Sequence, residues 1–430
     1  MEEKIYETPA YKRSRTAYRW ESAFEYFVTL LVTDAFLATL LKTIGLSDAQ
    51  VGIVSSLVSF SFLFQLLAIF VVQRVKNVKF FAMLWHTFSN LCFMSLYLLP
   101  FLPVALPYKK VLTFGAVLLA YLGNYLVTTM IFKWANSHVD PHKRAGYSAG
   151  KEMLSLFTGM IVTLFIGYAM DFFADKGWQD GGFIFAASAI FVFAACDFVC
   201  LLLIKAPEKE EGARVAAAPF REVLKNTVGN RRFLYVVLLT VIFDMSRYSI
   251  IGFIGTYRIS ELAFSVGAVQ IINLIGNTCR FFVSKPFGRF SDRFSYAKGA
   301  SLGMILAAIG YALLVFTTPQ TRYLAIVSCI FTHVSAAGTN QNLMNITYSY
   351  VDVRYFVQAA AIKNSIGGIC GFLSALLSAR LLSHIQNGGN TFFGIQAYGQ
   401  QVLALIATVG ILLAVLFIHL TLGKQKTMLQ

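Results

Sequence analysis

A few charged and imidazole side chains stand inside long apolar stretches of this sequence, and these are the residues able to do chemistry. Asp34 lies within the apolar run 22–42, Asp244 and Arg247 within 233–255, Arg280 within 264–286 and His333 within 322–347. A charged group at the centre of a bilayer costs about 2.5–3.5 kcal/mol on insertion scales, so each needs a partner or a task. Arg247 follows Asp244 by three residues and shares its face of a helix. That spacing suits either a mutually neutralised structural pair or a substrate- or proton-linked pair. Asp34 has no basic neighbour on its own helix and is the stronger candidate for a carboxyl that takes up a proton or meets substrate. Arg280 keeps its charge and must meet an acid, backbone carbonyls, water or an anionic solute.

Uncharged polar residues extend this set. Asn340, Gln341, Asn342 and Asn345 follow His333 along one run, and several amides in one span suit hydroxyl-rich ligands. Asn124 and Thr128 form a comparable group in the run 111–133, and Gln65 stands in 49–73. Tyr26, Tyr121, Tyr248 and Tyr257 are able to stack on a ligand ring, although such residues more often pack or anchor at an interface. His86 and Asp197 carry less weight as isolated polar residues in other runs. Glu25, Lys151, Glu152 and Lys363 lie near run ends, where long side chains reach water. Enzyme chemistry is not expected: the chain has no P-loop and no H-E-x-x-H or C-x-x-C pattern. All six cysteines fall inside apolar runs without a paired spacing, so neither a disulfide framework nor a metal site is expected, and no cofactor.

The elements that must position these side chains follow from composition. Hydrophobic residues make up 57% of the 430 and charged residues 13%, with a mean hydropathy of +0.65. Soluble domains sit nearer 45–50% apolar and about 25% charged, so the chain reads as a polytopic membrane protein. Twelve apolar runs appear at 22–42, 49–73, 80–103, 111–133, 148–170 and 183–204, then at 233–255, 264–286, 298–317, 322–347, 357–383 and 399–421. Backbone groups in lipid must be satisfied internally, which makes an all-α bundle the expected fold.

The net charge of +15 has an address. With the N-terminus inside, cytoplasmic segments hold 26 of the 36 basic residues and the opposite side six, which predicts cytoplasmic termini and removes any call for a nucleic-acid partner. The expected organisation is a tail over 1–21, six helices over 22–204, a polar linker over 205–232, six helices over 233–421 and a tail over 422–430. The linker ends in FREVLKN, which suits a short surface helix. The halves repeat each other. A shift of 215 puts Val51 and Gly52 on Val266 and Gly267, Arg74 on Arg289, Gln65 on Arg280 and Asn77 on Asp292; a shift of 212 puts Ser137 on Ser349, Asp140 on Asp352, Lys151 on Lys363 and Gly159 on Gly371.

One segment names a family. Gly288, Arg289, Asp292 and Arg293, within GRFSDRFSYAK, resemble the signature loop of the major facilitator superfamily, with a weaker first-half copy at Arg74 and Asn77. The resemblance covers the whole chain at the level of architecture. It implies two pseudo-symmetric six-helix bundles rocking about a central cavity, and a gating role for Gly288, Arg289, Asp292, Arg293, Arg74 and Asn77. The function it implies is a secondary active carrier of a small polar solute (sugar, glycoside or organic anion), coupled to protons, in the cell membrane. Asp34, Asp244, Arg247, Arg280 and His333 are the candidates for coupling or substrate binding, and Gln65, Asn124, Thr128, Asn340 and Asn342 for the polar lining. The expected partners are a small-molecule substrate, protons and the lipid bilayer, on a monomeric chain. A proton-coupled exporter of amphipathic compounds is the alternative, and the fifth run, 148–170, lacks the proline common in such exporters. A non-transporting receptor, lipid scramblase or assembly subunit is the alternative of another class.

Overall fold

A computed structural model describes residues 6–72, 75–139, 144–205, 229–351 and 356–422. The described chain is almost entirely helical: α1 (Pro9–Leu31), α2 (Asp34–Ile44), α3 (Asp48–Ser61), α4 (Phe64–Val72), α5 (Val78–Leu98), α6 (Leu106–Asn136), α7 (Arg144–Asp175), α8 (Gln179–Leu203), α9 (Arg231–Tyr248), α10 (Val266–Phe294), α11 (Tyr296–Val315), α12 (Leu324–Tyr350), α13 (Phe356–Asn387) and α14 (Gly399–Thr421). They follow the twelve expected spans, with α1–α2 and α3–α4 each a broken span. Among the described residues nine helices are long and apolar enough to cross a membrane, and the α1–α2 pair, bent by 45°, makes a tenth. The other two, α5 and α12, match their spans in length but carry more polar side chains. Outside the helices, Thr391–Phe392 and Ile395–Gln396 form a two-residue hairpin whose turn uses the positive φ of Gly394 (79°).

Hydropathy did not reveal the breaks, and side-chain hydroxyls account for them. Ahead of the first break Thr29 Oγ1 donates to Glu25 O and Thr33 Oγ1 to Leu30 O. Ahead of the second, Ser56, Ser59 and Ser61 donate to Gly52 O, Ser56 O and Leu57 O. At the end of α9, Ser246 and Ser249 donate to Ile242 O and Ser246 O, and the span continues through short turns at Ile251–Phe253, Ile254–Thr256 and Tyr257–Glu261. Hydroxyls that bond back to the preceding turn compete with the helix ladder and bend it. The Tyr97 hydroxyl then donates to Leu31 O, the carbonyl at the end of α1, so the break is not left unsatisfied.

Contacts divide the chain into two compact units. The first lies within Met1–Gly45, Leu67–Ala216 and Ser265–Gln270, the second within Leu46–Leu66, Ala217–Phe264 and Ile271–Gln430. In the first, α1 packs on α7 and α8, and α5 on α6 and α8, around Tyr18, Met83, Leu126, Trp134 and Leu201. The start of α10 belongs here: Asp171 accepts from the amides of Val266 (3.1 Å) and Gly267 (2.8 Å), two free donors of that helix N-terminus. In the second, α9 packs on α13 and α14, α11 on α12 and α14, and α3 on α13.

Small residues set the closest approaches in the second unit. Gly299, Gly303 and Gly310 line the α11 face against α12; a Cβ on Gly303 would lie 2.6 Å from Thr339 Oγ1 and 3.0 Å from Ser335 O. Helices in lipid associate through such packing because the solvent is as apolar as the side chains. Gly303→Val is therefore expected to cost about 2–3 kcal/mol as overpacking. A thermal unfolding midpoint equal to wild type in the same detergent would refute this contact.

Candidate functional site

In the first unit a polar network crosses four helices. Glu21 and Glu25 stand one turn apart on α1, His86 and Asn90 one turn apart on α5, Asn124 on α6 and Asp197 on α8. His86 Nδ1 lies 2.7 Å from Asp197 Oδ2, and its Nε2 lies 3.6 Å from Glu25 Oε1. Asn124 Nδ2 donates to Glu25 Oε1 at 2.8 Å, and Thr128 Oγ1 donates to Asn124 O at 2.7 Å. From α7, Lys151 Nζ donates to Ser22 Oγ at 3.0 Å and sits 4.7 Å from the Tyr18 ring centroid. Glu21, Glu25, His86, Thr128 and Lys151 line a cavity of about 100 Å³.

Sequence reasoning gave His86 and Asp197 little weight and placed Glu21 in a tail and Glu25 at a run end. Three acids and an imidazole within apolar helices were the available signal. Each looks isolated because its partner is remote in sequence, 111 residues away for His86 and Asp197.

The second unit holds a smaller charged group. Asp244 Oδ2 lies 2.5 Å from the position a Cβ on Gly367 would occupy, and the Asp244 carbonyl and Tyr248 ring fill the space beside Gly371. These glycines let α9 and α13 approach closely. The approach sets Asp244 among two cations, Arg247 on its own helix and Lys363 one turn before Gly367, both acting electrostatically on its carboxylate. Lys363 is 5% exposed. Arg247 lies beside Tyr248, its Cζ 5.5 Å from the ring centroid. Lys363 is thus a second cation acting on Asp244, beside the Arg247 expected from the sequence.

The remaining candidates are scattered. Asp34 opens α2 at the break with φ 48°, in the left-handed region. His333 Nδ1 is 2.9 Å from Cys329 O, and its ring packs where a Cβ on Gly276 would stand. Gln65 accepts weakly from Asn364 Nδ2 at 3.4 Å. Asn342 is buried and donates to Ser291 Oγ and Gly338 O, whereas Asn340 is exposed. Arg280 is half-buried in α10.

The signature segment is not a loop: α10 runs on to Phe294, so Gly288, Arg289, Asp292 and Arg293 are exposed residues of its last turns. Gly288 lies inside the helix with nothing within 4 Å of a Cβ built on it, so it makes neither a turn nor a close approach; the turn falls at Ser295, which caps α11 by accepting from Lys298 N. In the first-half copy Asn77 caps α5 by accepting from Phe80 N at 3.0 Å. Arg74, Asp140, Asp352 and most of the linker, including FREVLKN, lie outside the described residues.

Comparison with known proteins gives the family. No curated protein matches the sequence. Among solved structures, a D-xylose–proton symporter superposes with a TM-score of 0.71 at 14% identity, covering 97% of this chain and 99% of its own. The nucleoside transporter NupG follows at 0.69 and 13%, covering 97% and 100%. A bacterial homologue of the human lysosomal transporter Spinster, inward-facing and unoccupied, gives 0.69 and 16%, covering 96% and 97%. At these identities the likeness establishes the fold. The family model of the Major Facilitator Superfamily matches residues 23–375. With its membrane-spanning helices and this match over most of its length, the chain is an integral membrane transporter and belongs to the major facilitator superfamily.

Proposed function

We propose that the protein is a proton-coupled symporter of small polar solutes bearing an anionic group, working by alternating access. The observation that carries this reading is one carboxylate, Asp244, set against α13 at Gly367, on which two cations, Arg247 and Lys363, act electrostatically. An excess positive charge in a poorly hydrated site calls for an anion, and a guanidinium supplies a planar fork for a carboxylate or phosphate. A proton on Asp244 releases both cations toward the solute, so solute and proton travel together. Loss of that proton restores the internal pairing and expels the solute.

Asp34 is the second proposed proton-linked acid, at the broken first span as Asp244 is in the broken seventh; discontinuous helices in corresponding positions of two halves are a recurrent setting for binding sites. Arg280, His333, Gln65, Asn124, Thr128 and Asn340 are proposed polar lining, and Arg289, Asp292 and Arg293, with Arg74 and Asn77, the gate. The distribution of basic residues supports a place in the cell membrane with both termini cytoplasmic. A neutral sugar is the second reading, favoured by the fold shared with a D-xylose–proton symporter. It is weakened at Asn342, whose amide is already engaged by Ser291 and Gly338.

Thermal shift and proteoliposome counterflow, run with carboxylates, sugars and hydrophobic cations, test the proposal. Carboxylates are expected to stabilise the protein and to accumulate under an inward proton gradient, while Asp244→Asn exchanges solute without accumulating it. Stabilisation by hydrophobic cations alone would replace the symporter with an exporter.

A further inference from the structure

Three buried atoms of the first-unit network have no hydrogen-bond partner among the described residues: Glu21 Oε2, His86 Nε2 and Asp197 Oδ1. Their side chains are 1%, 1% and 0% exposed. A buried polar atom left bare costs about 1–3 kcal/mol, and more when charged; His86 Nε2 still faces Glu25 Oε1 at 3.6 Å, so Glu21 Oε2 and Asp197 Oδ1 are the two that call for an occupant. Glu21, His86 and Asp197 each offer one ligand atom, and these atoms lie within 4.8 Å of one another.

We infer that Glu21, His86 and Asp197 form a binding site for a divalent first-row transition-metal ion. The donor set selects the class. Calcium takes 6–8 oxygens and magnesium keeps most of its waters, whereas an imidazole with two carboxylates suits zinc, manganese or iron. Charge agrees: Glu21, Glu25 and Asp197 are three acids, and one divalent ion with Lys151 balances them. The outer contacts have the form that orients a metal-bound histidine. When His86 binds through Nδ1, the nitrogen beside Asp197, its Nε2–H faces Glu25 Oε1 at 3.6 Å, which Asn124 already holds. A protonated His86 bridging Asp197 and Glu25 would satisfy the imidazole alone, leaving Glu21 Oε2 and Asp197 Oδ1 bare. The adjoining cavity gives an ion access to Glu21, Glu25 and His86. The inference is independent of the solute reading, since none of the three ligands is among the residues assigned there to solute or proton.

The test uses the full-length protein, purified in detergent with any affinity tag removed and titrated separately with Zn²⁺ and Mn²⁺ in a calorimeter. A single tight ion per chain is expected, and X-ray absorption of the zinc-loaded wild type should show one imidazole nitrogen among oxygen neighbours. His86→Gln and Asp197→Asn should each weaken binding at least about a hundredfold, and Asn124→Ala about tenfold. Asp244→Asn should bind as wild type does. Wild-type protein that takes up neither ion, or a zinc spectrum without an imidazole shell, overturns the assignment even if the variants fail to fold. Unchanged affinity in His86→Gln overturns it as well.

Discussion

Arg247→Ala is expected to lower kcat/KM for solute uptake by about 30-fold to several thousandfold, while the protein still inserts and remains monodisperse. On the proposed reading Arg247 pairs with the anionic solute, and truncating one partner of such a charged contact costs about 2–5 kcal/mol, at 1.4 kcal/mol per factor of ten. Arg247→Lys should fall between, because it keeps the charge and loses the planar fork. A purely structural charged group predicts something else. Its loss would reduce stability, and the neutral triple variant Asp244→Asn, Arg247→Gln and Lys363→Gln would recover both stability and transport. On the functional reading the triple variant recovers stability only. Uptake kinetics measured beside thermal unfolding of the same preparations separate the two.

Gly368→Ala carries the second large effect. A Cβ there would stand 2.1 Å from the Ser59 carbonyl oxygen and 3.0 Å from the Phe62 ring. The obstacle is backbone, so relief requires α3 and α13 to separate. Overpacking of this kind costs about 1–3 kcal/mol, and occasionally more. The contact joins a helix from the first half of the sequence to one from the second, and Ser365 Oγ reinforces it by donating to Phe62 O at 3.0 Å. In the alternating-access cycle proposed above, a contact joining the two halves of the sequence is expected to break and re-form, so the penalty falls on the state in which it is closed. A shift of about 2.7 kcal/mol changes the ratio of two states about a hundredfold. Spin labels on α3 and α13 should report longer distances in Gly368→Ala, with transport reduced at least tenfold. Unchanged distances and full transport would refute the argument. Gly288→Ala is the internal control: its Cβ meets nothing, and alanine in place of glycine inside a helix is neutral or slightly stabilising.

The glycines show how much the repeat disclosed. Aligning the halves paired Gly52 with Gly267, and both prove to be close approaches: a Cβ on Gly52 would enter the Phe253 ring at 1.9 Å, and one on Gly267 would meet Asp171 Oδ2 at 2.6 Å. The alignment said that the positions correspond; it did not say what presses on them. Lys151 and Lys363 behave similarly. Their pairing was legible from spacing, but one reaches Ser22 and the Tyr18 ring while the other joins Asp244. The Ser and Thr clusters at the helix breaks were visible and went unread, because hydropathy averages a hydroxyl into its apolar neighbours and cannot register its bond to the preceding turn.

What the sequence determined by itself is the membrane, the twelve spans and the family motif. Transfer to lipid is nearly additive over some twenty consecutive residues, so a local sum finds each span. The meeting of His86 with Asp197, of Asn124 with Glu25 and of Lys363 with Asp244 was decided only by the tertiary structure. Each pair joins different helices, and the packing that sets which faces meet depends on small residues and breaks distributed along the whole chain. A charge in an apolar run announces that it must have a partner; helix packing chooses which one.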